Sequence, residues 1–232
     1  MNRRQYLSAV GGIGVLATAG CLGFGDDAGA ANTVLSEQDD FPGNPEDFSY
    51  PAYGQTLPDV TLPDPLNEES LSLAESDRAT VLTTFFAECP EECGVLVNNL
   101  AGAQGLTVEG GFADDVRFLV ITFDPERDTA ERLRDNASLH GVDLSVGNWH
   151  YLRPDSPSEA EAVVTNELGI PFDRIDEGGR LPTYDFAHIV VTMLANPGGV
   201  VERVYQGENF DRQRLAEDAQ AVAEGYDPEE HG

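Results

Sequence analysis

Apolar residues in this chain fall into short runs separated by breaks rich in Gly, Pro and Asp, and the spacing within each run selects an element. Residues 79–87 (ATVLTTFFA) carry β-branched and aromatic side chains with no polar alternation, the pattern of a strand buried on both faces. Residues 117–123 repeat that pattern. Between them, Val95, Leu96, Asn99, Leu100 and Ala103 recur three or four apart, which predicts a helix from Cys89 to about Gln104. Residues 128–140 read as a second helix, with Asp128 or Thr129 near its N-cap and Gly141 ending it. A third, shorter strand is expected over 146–152. Ser156-Pro157-Ser158-Glu159 then opens another helix, with a capping Ser, Pro in the first turn and Glu three residues on. Residues 188–194 and 200–205 flank Asn196-Pro197-Gly198-Gly199, a hairpin signal, and Asn209 is the expected cap of a last helix running to about Glu224. Ahead of all these, 57–73 holds two short apolar stretches, expected as a leading hairpin or extended arm. Strands alternating with helices imply parallel pairing, and the late hairpin adds antiparallel edges. The expected class is α/β, a mixed central sheet with helices on both faces and a C-terminal β-hairpin plus helix.

The first 21 residues follow a different logic. Arg3-Arg4 precede Tyr6-Leu7, and residues 8–20 run without a charge. This resembles a twin-arginine export signal, and Thr18-Ala19-Gly20-Cys21 resembles a lipobox in which Cys21 receives the lipid. The apolar stretch is shorter than the roughly 20 residues that span a bilayer as a helix. An uncleaved anchor with Cys21 as an ordinary thiol is the alternative. Either way the body is expected outside the cytoplasm, and the lipid-anchored reading puts it on the outer face of the cytoplasmic membrane. Residues 22–56 carry seven acids and no bases among scattered Gly and Pro, and read as an acidic flexible tether. The folded domain is expected over 57–226, with an acidic tail over 227–232.

Charge changes the picture in one respect. The chain has 42 acidic residues against 13 basic ones, a formal charge of -29, and every basic residue is Arg. Such an excess can signal disorder, but 41% of the residues are hydrophobic and they cluster in strand-like runs. A folded core under a dense carboxylate surface fits better, and that surface resembles proteins of salt-loving organisms, where brine screens the repulsion. Nucleic acid is not an expected partner, because phosphate binding needs a basic patch.

With Cys21 assigned to the anchor, one cysteine pair remains in the body, Cys89 and Cys93. A close pair in an exported protein is redox-active, metal-binding or a staple. Cys89-Pro90-Glu91-Glu92-Cys93 sits where a buried strand hands over to a helix, and a spacing of four would put both sulfurs on one helical face. The positive end of the helix dipole favours thiolate, and two thiolates select soft ions, Cu(I) or Zn(II) foremost. A disulfide closing so short a loop would constrain the unfolded chain little. His140, His150 and His231 carry no such signal and are expected at the surface.

TTFFAECPEEC, FLVITFDPERDT and DFAHIVVTMLANPGGVVERVYQG together resemble the Sco/SenC family over roughly residues 57–224, in order and spacing. The resemblance implies a thioredoxin-like fold and a three-coordinate copper site, for Cu(I) or Cu(II), made by the Cys89 and Cys93 thiolates and the His188 imidazole. It also implies that Cys89 and Cys93 form a reversible disulfide. Two roles share these residues. One is delivery of copper to the binuclear site of cytochrome c oxidase subunit II or to another cuproprotein. The other is thiol–disulfide exchange that keeps partner cysteines reduced, the only enzymatic activity implied. His188 is superfluous for exchange, which favours the metallochaperone. Asp124, in the D-P-x-R-D-T stretch, is expected either to support the site through hydrogen bonds or as a weak additional ligand, or simply to start a turn before Pro125; Arg127 and Asp128 are expected to order the loop. Gly94 and Ile189 depart from the family's Pro and Ser at those places. A peroxiredoxin would need Thr three residues before its reactive cysteine, where Phe86 stands.

Overall fold

The computed structural model describes residues 32–231. With the strands numbered along the chain, its central sheet has the order β5-β4-β3-β8-β9. These are β3 (Ala79–Phe85), β4 (Val116–Thr122), β5 (Trp149–Leu152), β8 (Val191–Ala195) and β9 (Val201–Gln206). β3 pairs in parallel with β4 and β4 with β5, whereas β8 runs antiparallel to both β3 and β9. Every residue of β3 and β4 is buried, as their unbroken apolar runs require of central strands.

Helices α1 (Glu92–Gly110) and α2 (Ala130–His140) are the crossovers that make those pairs parallel. α4 (Arg212–Gly225) packs along α1. Thr129 caps α2 by accepting the Arg132 amide, and Gly141 leaves it with φ 79°, a left-handed turn that favours glycine. The helix opened by Ser156, α3, is regular only over Pro157–Ala160 and widens to π geometry over Glu161–Glu167. Asp211, not Asn209, caps α4, because its carboxylate takes the Gln213 and Arg214 amides. A short α5 (Pro228–His231) follows.

Three further differences from the expected elements have local causes. α1 begins three residues later than the spacing suggested, since Cys89-Pro90-Glu91 forms a turn ahead of it, so Cys89 lies outside the helix and does not share a helical face with Cys93. The strand expected from residue 146 begins at Trp149, because Leu144–Val146 closes a tight helical turn that Gly147 ends at φ 80°. His188 does not open the hairpin strand. It ends β7 (Asp185–His188), which pairs with β6 (Phe172–Ile175) in a separate two-stranded ribbon, and β8 starts only at Val191. The leading segment is a hairpin, β1 (Thr61–Asp64) with β2 (Glu69–Ser72).

Residues 32–56, expected to be a flexible tether, instead pack on the domain. Tyr50 and Ala52 are buried, and the Val34 and Leu35 amides donate to the Glu202 carboxylate at 2.8 and 2.9 Å. Glu202 is fully buried, and Asn196 Nδ2 at 2.7 Å completes its bonding. A buried carboxylate on the edge strand β9 thus gains its donors from the very segment read as solvated. Cys21 and the proposed signal lie outside the described residues.

Candidate metal centre

Cys89 leaves the C-terminal end of β3, Cys93 sits in the first turn of α1, and His188 reaches in from the end of β7. Their ligand atoms all lie within 4.8 Å of one another. Cys93 Sγ and His188 Nε2 are 3.8 Å apart. Bonds of about 2.0–2.3 Å from one soft cation to a sulfur and a nitrogen would span roughly 3.5–3.7 Å between the two donors, so the spacing fits a shared ion after a small contraction. Both cysteines are free thiols.

The turn before α1 explains how the sulfurs meet although Cys89 is not helical. The Cys93 amide, one of the donors a helix start leaves unpaired, points at Cys89 Sγ at 3.3 Å. That amide and the Cys93 thiol hold the Cys89 thiol well below its ordinary range, to about 5: the Cys93 side chain is the largest influence, and burial opposes it. Cys93 is pushed the other way by burial and by its charged neighbour. The pair therefore holds one thiolate and one thiol near neutrality. Cys89 Sγ also stands 3.4 Å from Glu92 Oε2. That bond needs the thiol proton; once Cys89 ionises, Glu92 is left to Arg180, which it already meets through both oxygens at 3.0 and 2.9 Å.

His188 presents Nε2 to the sulfurs because Nδ1 faces the Ile189 carbonyl at 3.2 Å, where an N–H can donate and leave the Nε2 lone pair free. Phe86 and Phe123 pack against its ring, with centroids 5.9 and 5.1 Å away. The side toward Glu92, Arg180 and Asp185 opens into a depression of about 330 Å³ that reaches His188. Gly94 has a structural reason: a side chain there would begin 3.1 Å from His140 Cε1, so its absence lets α2 approach the start of α1. Ile189 is 40% exposed beside His188, an apolar residue on the open side.

Asp124 is buried and does not join the converging ligand atoms. Its Oδ1 accepts from the Tyr184 hydroxyl at 2.7 Å and its Oδ2 from Arg127 Nε. Arg127 continues to Glu88, to Thr183 Oγ1 and to the Tyr184 carbonyl, and stacks 3.7 Å from the Tyr184 ring, whose ring Arg174 also meets at 3.6 Å. Tyr184 is thus gripped by two guanidiniums immediately before the strand that delivers His188. Asp128 is fully buried, takes the Ala87 amide at 3.0 Å and the Thr122 hydroxyl at 2.5 Å, and so fastens the end of β3 just ahead of Cys89.

Sequence reading missed Arg180, which ties the β6–β7 ribbon to the cysteine turn. It bonds Asp185 at 2.9 Å, Glu92 at 2.9 Å and Glu91 at 3.3 Å. Its partners lie up to 89 positions away, so no local pattern marks it. The histidine expectation also fails at one position. His150 is buried, only 7% exposed, with Nδ1 3.0 Å from Asp64. His140 and His231 are both partly covered.

The SCO1/SenC family profile matches residues 68–224, more than half of the chain. The chain belongs to the SCO1/SenC family. Among solved structures, a SCO1/SenC family lipoprotein from Bacillus anthracis superposes with a TM-score of 0.60 at 20% identity, over 72% of this chain and 95% of that one. Arabidopsis thaliana ScoI with copper bound gives 0.58 at 21% identity, covering 73% and 98%. BsSco, described as having a disulfide switch and as a member of the Sco family of cytochrome c oxidase assembly proteins, gives 0.57 at 19%, covering 73% and 95%. No match was found among curated proteins. The fold is accordingly thioredoxin-like, as the sequence resemblance implied.

Proposed function

We propose that this SCO1/SenC protein binds one copper ion through Cys89, Cys93 and His188 and hands it to the binuclear site of cytochrome c oxidase or to another cuproprotein. The observation that carries this reading is the convergence of two sulfurs and one imidazole nitrogen within 4.8 Å on a rim open to solvent. Two thiolates and one imidazole suit Cu(I). Three ligands and an open side allow an incoming ligand to attack and the ion to leave, whereas a structural zinc site fills four positions. The oxidase as recipient is supported by the family and by the description of BsSco. Copper here is cargo, and the protein's part is to hold one thiolate ready, keep the imidazole lone pair aimed and leave a side uncovered.

One observation favours thiol–disulfide exchange as a second reading: Cys89 is ionised readily while its buried neighbour is not, the asymmetry of an attacking and a resolving thiol. Anaerobic Cu(I) titration of the reduced protein separates the two. One equivalent should bind, replacing either cysteine with Ser should abolish binding, and His188→Ala should weaken binding while leaving disulfide formation intact. Full copper affinity in Cys89→Ser would end the metallochaperone reading. We further propose that Cys21 is lipidated and anchors the mature protein to the outer face of the cytoplasmic membrane after twin-arginine export. Mass spectrometry of the membrane fraction should find a lipid-modified Cys21 as the first residue, and an uncleaved, unmodified N-terminus would refute it.

A further inference from the structure

A second group of ligand atoms lies outside the cysteine site. Asp64 and Glu69 face one another as the closing pair of the β1–β2 hairpin, and His150 comes from the sheet's edge strand β5. One carboxylate oxygen of each and the imidazole Nδ1 lie within 4.8 Å of one another. Nδ1 is 3.0 Å from Asp64 Oδ2 and 3.5 Å from Glu69 Oε1. Two like charges directly opposite across a hairpin repel, and Asp64 is only 1% exposed, so the arrangement asks for a cation. A protonated imidazole supplies one positive charge against two negative ones. A divalent ion would balance both carboxylates.

We propose that Asp64, Glu69 and His150 form a second metal site, for a borderline divalent first-row cation such as Zn(II). Bonds of about 2.0–2.2 Å from such an ion to nitrogen and carboxylate oxygen give tetrahedral ligand–ligand edges of roughly 3.3–3.6 Å; Glu69 Oε1 already stands at that spacing from Nδ1, and Asp64 Oδ2, at 3.0 Å, has to open by a few tenths of an ångström. The donor chemistry differs from the cysteine site: oxygen and imidazole select harder ions than two thiolates do. Asp64 is already oriented for the task. Its Oδ1 accepts the Leu66 amide at 2.8 Å, and its Oδ2 accepts Asn67 Nδ2 at 2.7 Å, which leaves that oxygen a second lone pair for the ion. The Glu69 side chain is 47% exposed, so water can complete the coordination from that side. The ion would clamp the leading hairpin to the edge strand, covering an edge that is otherwise open to pairing.

The test uses the full chain with Cys21, Cys89 and Cys93 replaced by Ser, so that no thiol contributes, in molar KCl with excess Mg(II) to occupy the acidic surface. Zn(II) is titrated by calorimetry, and Co(II) by its visible absorption. One equivalent of Zn(II) should bind, Co(II) should give ligand-field bands without a thiolate charge-transfer band, and Glu69→Gln should weaken binding at least tenfold. Glu69 is half exposed and faces a like charge, so that variant's metal-free melting temperature should not fall, which separates lost ligation from lost folding. His150→Gln should abolish binding; should that buried substitution unfold the protein, the shift of the His150 ring nitrogens on adding Zn(II) to the otherwise unchanged protein replaces it. Absence of a stoichiometric site, or equal binding with and without Glu69, would show a salt-bridged histidine and nothing more.

Discussion

Replacing Arg180 with Ala should loosen the ribbon that carries His188. Arg180 reaches Glu91 and Glu92 beside the cysteines and Asp185 at the start of β7. Glu91 is largely exposed and Glu92 about one-third exposed, and such solvent-accessible pairs contribute about 0–1 kcal/mol each. Asp185 is different: it is 1% exposed, and Arg180 foremost, opposed by burial and helped by two backbone amides, lowers its carboxyl from 3.8 to about 2. That shift corresponds to roughly 2 kcal/mol, and the amides of residues 180 and 186, which the substitution keeps, account for a share of it. The closed arrangement should therefore lose about 1–2 kcal/mol, which translates into roughly five- to thirtyfold faster release of copper and at most about a thirtyfold weaker affinity. The assay is anaerobic transfer of Cu(I) to a competing chelator, followed by stopped-flow in a salt series. Arg134→Ala, on the exposed face of α2, makes the same change in net charge as a control. Raising the salt from dilute buffer to molar should narrow the difference between the wild type and Arg180→Ala, because the exposed pairs are screened and metal–sulfur bonds are not. Release rates equal to the wild type in dilute buffer would refute the latch.

Asp128 gives a pH dependence of opposite sign to an ordinary paired carboxylate. Burial, opposed by the Thr122 hydroxyl and the Ala87 amide, raises it to about 7, so the unfolded chain gives up this proton first and stability from this group is fullest below pH 4 and is lost as pH rises through 7. Denaturant midpoints from pH 4 to 8 should show an excess slope of up to roughly 4 kcal/mol that Asp128→Asn removes; parallel curves would contradict it. Cys89 should react with iodoacetamide at a rate that is nearly flat from pH 6 to 8, since it titrates near 5, with Cys93 protected until unfolding; a tenfold rise per pH unit in that range, read by mass spectrometry, would exclude the thiolate. The excess of 42 acids over 13 arginines predicts a melting temperature that climbs from dilute buffer to molar KCl, and a flat or falling series would rule out adaptation to brine.

How far the sequence could be read depended on how local each signal was. Residues 79–87 and 117–123 announced central strands because burial on both faces leaves no room for polar alternation, and Thr129 and Gly141 marked the ends of α2 by chemistry that acts within one turn. The cysteine pair and His188 were recognisable together, through three motifs in order, although His188 lies 95 positions from Cys93. The β6–β7 ribbon was not legible: Phe172–Ile175 and Asp185–His188 are four residues each, and the stretch between them opens on Asp-Glu-Gly-Gly, so neither periodicity accumulates enough positions to stand out. Acidic composition likewise suggested a tether over 22–56; for its described part the decisive fact, a buried Glu202 in need of donors, lies on a strand far along the chain. His150 was misplaced for the same reason, since only the fold brings Asp64 to it.

The placement of arginine ties these points together. A chain with no lysine and 13 arginines has few cations to spend against 42 acids, and they are not spread evenly. Arg127, Arg132, Arg153, Arg174 and Arg180 all bond to the segments that bear or adjoin the cysteines and His188: Glu88 receives Arg127 and Arg132, the Pro125 carbonyl receives Arg153, Glu126 receives Arg174, and Glu91 and Glu92 receive Arg180. Repulsion among surface acids would otherwise act most strongly on these connecting segments, which have no sheet to hold them. Guanidinium suits the task better than ammonium, because one planar fork can meet several carboxylates at once and stack on Tyr184 as well. Cations concentrated around the site keep three ligands from three separate elements in register while the rest of the surface remains acidic.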